Sequence, residues 1–81
     1  MELAGKQVLV VGMARSGVAA ARLCARRGAH VVATDRKAPR ELPAEVVNLE
    51  KEGVRLELGG HRMETFTSAS MIVVSLSLIH I

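Results

Sequence analysis

Between Gly12 and Gly17 the chain reads Gly-Met-Ala-Arg-Ser-Gly, with an apolar run before it and an alanine- and arginine-rich segment after it. Gly12, Ala14 and Gly17 occupy the three positions of G-x-G-x-x-G, the pattern in which a strand turns sharply into a helix and offers backbone N–H groups to a phosphate. The first glycine serves the turn, and the third lets the helix pack close to the strand. The second normally lets a pyrophosphate approach the backbone; Ala14 stands there instead, and its methyl moves such a ligand outward. Ser16 adds a hydroxyl donor and Arg15 a cation, although by helical period Arg15 also fits a solvated surface position. Any tight strand-to-helix turn favours glycine, so the loop alone does not name its ligand.

A second group of candidates follows from the runs further along. Asp35 closes the apolar run "AHVVATD", near the spacing of roughly 20 residues after the loop at which an acid hydrogen-bonds a ribose or base. A loop-capping aspartate is the alternative. Arg36 and Lys37 come next; they would suit a 2′-phosphate, which Asp35 would repel, so the mixed charge fits a nucleotide held by its base and ribose. Ser75 closes the run "MIVVS". His61, after Gly59 and Gly60, could be a base or a ligand, yet no carboxylate or second histidine stands near it in sequence to orient it. His30 and His80 have no partner either. No nucleophile paired with a base, no P-loop and no metal-ligand spacing occurs, so the expected catalytic set and metal set are both empty.

These residues need elements to bring them together. "QVLVVG" is a short β-branched run of the kind buried on both faces of a sheet. In the following helix Gly17, Ala21, Cys24, Ala25 and Gly28 share one face, with Arg15, Arg22 and Arg26 opposite, and Gly28 is placed to end it in a left-handed cap. After the strand at Ala29 to Asp35 comes a helix in which Pro43 suits the first helical position, Glu45 the positive end of the dipole and Gly53 the exit. Val54 to Leu58 alternates like an edge strand, a short helix rests on Met63 and Phe66, and Met71 to Ser75 is a fourth strand. Strands alternating with helices predict an α/β fold, a Rossmann-like parallel sheet of order 3-2-1-4, which is half of a doubly wound fold. Its crevice lies at the carboxyl ends of strands 1 and 4, where Gly12 to Gly17, Asp35 and Ser75 would converge.

The chain totals narrow the class of partner. With 81 residues there is room for one small domain. A single phenylalanine and no tryptophan or tyrosine leave no stacking platform for single-stranded nucleic acid, and the net charge of +3 is a modest attraction for an anion. Cys24 cannot form an internal disulfide and suits a reducing compartment. The apolar run from Met71 to Ile81 is about half the roughly 20 residues a spanning helix needs, and the N-terminus has no signal-peptide core. The expectation is a cytoplasmic protein with no nucleic-acid partner and no membrane partner.

Taken together, "LAGKQVLVVGMARSGVAAARLCARRGAHVVATDRK", "GVRLELGGH" and "IVVS" resemble the N-terminal domain of the bacterial Mur ligases, and most closely the branch that adds D-glutamate during peptidoglycan synthesis. The resemblance implies that residues 1–75 form a UDP-binding domain for the substrate UDP-N-acetylmuramoyl-L-alanine. It matches Gly12, Ala14, Arg15, Ser16 and Gly17 to the loop beside the diphosphate, Asp35, Arg36 and Lys37 to the segment around the uracil, and Ser75 to the serine opening an "SPG" turn. It also implies a parent with central and C-terminal ligase domains, in which ATP and magnesium serve to form an acyl phosphate that the amino group of D-glutamate attacks. No cofactor is expected in these residues themselves, which alone would be inactive. Two departures stand out: the family loop reads GLGxSG, and "LSLIHI" follows Ser75 where proline and glycine are expected. Residues 76–81 are therefore expected to be a non-family tail, whose Leu76, Leu78, Ile79 and Ile81 must either pack somewhere or promote association. Two rival readings are the NAD(P)-binding half of a dehydrogenase, with Asp35 on the adenine ribose, and a non-catalytic nucleotide-sensing module that meets a partner through Arg22 and Arg26.

Overall fold

A computed structural model describes residues 2–75. The elements follow in the order β1 (Gln7–Val11), α1 (Arg15–Arg26), β2 (His30–Asp35), a 3-10 turn (Pro39–Glu41), α2 (Glu45–Asn48) running into a second 3-10 turn (Leu49–Glu52), β3 (Arg55–Leu58), α3 (Met63–Ser68) and β4 (Met71–Val74). All strand pairings are parallel, in the order β3-β2-β1-β4. The fold is thus the α/β, Rossmann-like half-sheet that the alternation of runs predicts. The tail at 76–81 lies outside the described residues.

β1 is central because its sequence lets it be. Val8, Leu9 and Val10 are each 1% exposed or less, as expected of a strand that carries apolar side chains on both faces and therefore needs cover on both. Val8 and Val10, with Val31 and Ala33 of β2, pack beneath Val18, Ala21 and Cys24 of α1 and beneath Val46 and Leu49. Leu9 projects to the other face, where α3 lies. Register sets the mouth of the sheet: Val11 pairs with Thr34 on one side and with Val74 on the other, so the residues after each of these positions leave the sheet side by side.

α1 is bounded by two glycines for different reasons. A Cβ on Gly17 would overlap the carbonyl oxygen of Gly12, so only glycine allows the first turn of the helix to sit this close to the end of β1. At the other end Gly28 takes φ +85°. Its N–H donates to the Ala25 carbonyl and that of Ala29 to the Cys24 carbonyl, both at 3.1 Å, which is the paired closure of a Schellman motif. Arg22 donates to Glu52 at 3.0 Å, tying the outer face of α1 to the segment after α2.

Three expectations need correction. Pro43 is not the first helical residue: Ala44 caps α2, which begins at Glu45, and the Pro43 carbonyl accepts the Val46 N–H at 3.0 Å as part of the preceding turn. Val54 lies before β3 rather than in it, because its N–H is taken by the Leu49 carbonyl at 3.1 Å and not by the ladder. Met63 does not anchor α3; it is 74% exposed, and the short helix is held instead by Phe66 against His61 and by the Thr65 hydroxyl on Glu57.

Candidate nucleotide-binding mouth

The loop from Gly12 to Ala14 is fastened on both flanks. The Gly12 N–H donates to the Thr34 carbonyl at 2.8 Å, extending the β1–β2 ladder by one bond, while the Ser75 N–H donates to the Val11 carbonyl at 2.8 Å, extending the β1–β4 ladder. Gly12 takes φ +97°, and a Cβ there would lie 2.6 Å from the Ser75 carbonyl oxygen, so both the turn and the crowding call for glycine. Met13 is buried. Ala14 has φ −74° and ψ −177°, extended values open to any residue; the backbone does not require glycine at the middle position, and the substitution changes only what can approach from outside.

Beyond Ala14 the chain enters α1 with its amino end open. Ala14 offers no side-chain cap and the first turn contains no acidic residue, while the first bond of the helix is Val18 N–H to the Ala14 carbonyl at 3.0 Å. The N–H groups of Arg15, Ser16 and Gly17 precede that bond and have no acceptor among the described residues, which leaves them for an anion at the positive end of the dipole. Ser16 reaches across to Ser75, the two hydroxyl oxygens lying 2.5 Å apart. Only one proton is needed to bond such a pair, so the other hydroxyl can donate outward.

Asp35 stands on the opposite flank, and its carboxylate is already at work. One oxygen accepts the Met13 N–H at 2.7 Å and the other accepts the Lys37 N–H at 2.8 Å, so the acid braces the loop from β2 and orders the turn that follows it. A carboxylate has about four acceptor positions, of which two are used among the described residues. Arg36 and Lys37 are exposed beyond it. The structure thus gathers Gly12, Ala14, Arg15, Ser16, Gly17, Asp35 and Ser75 at one mouth, with Arg36 and Lys37 on the chain that leaves its β2 side.

The "GGH" turn closes on the same side. The Gly59 N–H donates to the carbonyls of Asp35 and Lys37 at 2.9 and 3.0 Å, and the Gly60 N–H to that of Asp35 at 3.2 Å. Thr34, a buried polar residue, places its hydroxyl 3.2 Å from the Gly60 carbonyl and 2.8 Å from Nδ1 of His61. Sequence reasoning passed over Thr34 because a β-branched residue late in a strand reads as sheet former alone; its partner stands 27 residues away. The basic face proposed for partner binding is less free than its composition suggests, since Arg22 and Arg26 both approach Glu52, at 3.0 and 3.9 Å. No helix among the described residues is long and apolar enough to cross a membrane.

Comparison with known proteins adds an independent line. A sequence profile described as "Mur ligase MurD-like, N-terminal domain" matches residues 6–78. The chain is 51% identical over 75 residues to a UDP-N-acetylmuramoylalanine–D-glutamate ligase of Geotalea daltonii, covering 93% of this chain and 17% of that protein. It is 49% identical over 75 residues to the ligase of the same description from Pelobacter propionicus, again 93% and 17%. The chain therefore spans about 17% of the length of these relatives. Among solved structures, SirC, a precorrin-2 dehydrogenase, superimposes with a TM-score of 0.78 at 23% identity, covering 95% of this chain and 37% of that one. The A chain of dipicolinate synthase from Bacillus subtilis gives 0.75 at 20%, covering 94% and 24%. Likeness at these identities establishes the fold alone.

Proposed function

Since the chain belongs to the MurD-like N-terminal domain family of the Mur ligases, we propose that its mouth holds the uridine diphosphate of UDP-N-acetylmuramoyl-L-alanine for a ligase that joins D-glutamate to that substrate. The observation that carries this reading is the open amino end of α1: three N–H groups with no acceptor among the described residues, with the Ser16 and Ser75 hydroxyls beside them, form an anion site whose donors are contributed by separate elements. The diphosphate sits against those donors, displaced slightly outward by the Ala14 methyl, and the base and ribose lie toward Asp35, Arg36 and Lys37. This chain binds and orients. In the longer ligase ATP and magnesium supply the activation of the substrate carboxylate, in the cytoplasm and on domains not in this sequence.

Asp35 serves this reading by holding the loop in shape through Met13 as well as by facing the ligand. Calorimetric titration of the chain with UDP is expected to give saturable one-site binding, and Asp35→Ala to raise the dissociation constant about tenfold, the size of one lost charge-assisted hydrogen bond. Binding of NADH without any response to UDP would overturn the assignment in favour of a dehydrogenase-type mouth.

A further inference from the structure

We infer that His61 is a positioning residue for the mouth, fixed in the Nδ1–H tautomer by Thr34 and acting on the loop through the backbone of β2. The inference rests on the proposed nucleotide site only for its last step, the effect on binding.

The tautomer follows from counting protons. A backbone carbonyl can only accept, so the contact between Thr34 Oγ1 and the Gly60 carbonyl at 3.2 Å uses the single proton of the Thr34 hydroxyl. Oγ1 then meets Nδ1 of His61, 2.8 Å away, as an acceptor. With the hydroxyl proton on the Gly60 carbonyl, the geometry assigns the proton between them to the imidazole. In the neutral ring Nε2 is left bare, the reverse of the tautomer that free histidine favours. Phe66 meets the ring edge-to-face, with centroids 5.9 Å apart and planes at 89°, which holds its rotation.

The mechanical consequence follows from what Thr34 does with its other polar atoms. Its carbonyl accepts the N–H of Gly12 at 2.8 Å, the first residue of the phosphate loop. The next residue, Asp35, receives the Gly59 and Gly60 N–H groups on its carbonyl and holds the Met13 N–H with its side chain. His61 is therefore two hydrogen bonds from Gly12, and the turn that carries it grips the backbone of the residue that grips Met13. A ring released from Thr34 leaves a buried hydroxyl with one partner fewer and frees the end of β2 to shift against the loop.

The test uses the full 81-residue chain labelled with 15N. Nitrogen shifts of the neutral His61 ring are expected to show a protonated Nδ1 and a bare Nε2. His61→Ala is expected to raise the dissociation constant for UDP about fivefold, the effect of one ordinary hydrogen bond, and to speed hydrogen exchange at Gly12 and Met13. His61→Asn, whose Nδ2 coincides with Nδ1 of the imidazole, restores both; His61→Gln, whose donor coincides with Nε2, restores neither. Thr34→Val combined with His61→Ala costs less than the sum of the two single changes, because the bond between the two side chains is lost only once. An Nε2–H ring, equal behaviour of the Asn and Gln variants, or unchanged exchange at Gly12 and Met13 would overturn the inference. If the unaltered chain fails to bind UDP, the functional reading falls, while the ring tautomer and the two exchange rates still decide the role of His61.

Discussion

Gly17 packs its α-carbon against the Gly12 carbonyl so closely that a methyl has nowhere to go. Gly17→Ala should therefore push α1 away from the end of β1 and cost about 2 kcal/mol or more, as overpacking against immovable backbone does; urea denaturation checks the stability and UDP titration the accompanying loss of affinity. That pair of glycines was legible because the loop has a known spacing. Spacing places a carboxylate at the right distance but does not say which way it faces, so the bond from Asp35 to Met13 inside the protein could not be read from the chain. Thr34 and His61 were harder still. Their partnership depends on β3 lying against β2, a relation that exists only once the sheet has formed.

Helix and strand order followed from the runs because each strand is short, β-branched and bounded by turn residues, while α1 is long enough to show its period. Gly28 is the element-scale counterpart of Gly17: no neighbour crowds it below 3.4 Å, yet its φ of +85° belongs to the left-handed region. Gly28→Ala is expected to cost about 1 kcal/mol, the usual penalty for a Cβ in that conformation, with Gly28→Asn costing less. Thermal or urea unfolding distinguishes the two variants, and equal stability of Ala and Gly would mean that the Schellman closure does not hold the helix end. Six residues of α3 give fewer than two turns, too few for Met63 and Phe66 to define a face; contacts with the "GGH" turn decide its orientation instead.

At the scale of the molecule, among the described residues one layer of helix covers one face of the sheet and little more than α3 covers the other, where Ile72 and Val74 of β4 are exposed. The mouth lies at the carboxyl ends of the strands, as it does wherever a parallel sheet changes its direction of winding. Because the residues there come from the loop after β1, the end of β2, the start of α1 and the residue after β4, a bound nucleotide would join elements from across the sheet and stabilise the whole fold. Linkage sets the size: a ligand at 100 times its dissociation constant adds about 2.7 kcal/mol, which for a domain this small raises the melting temperature by roughly ten degrees or more. The most direct test is an amide-resolved NMR titration of the chain with UDP, set against the same titration with NADH. The account expects saturable shifts led by the Arg15, Ser16 and Gly17 amides with UDP alone; silence at those three amides, or a response there only to NADH, would contradict it.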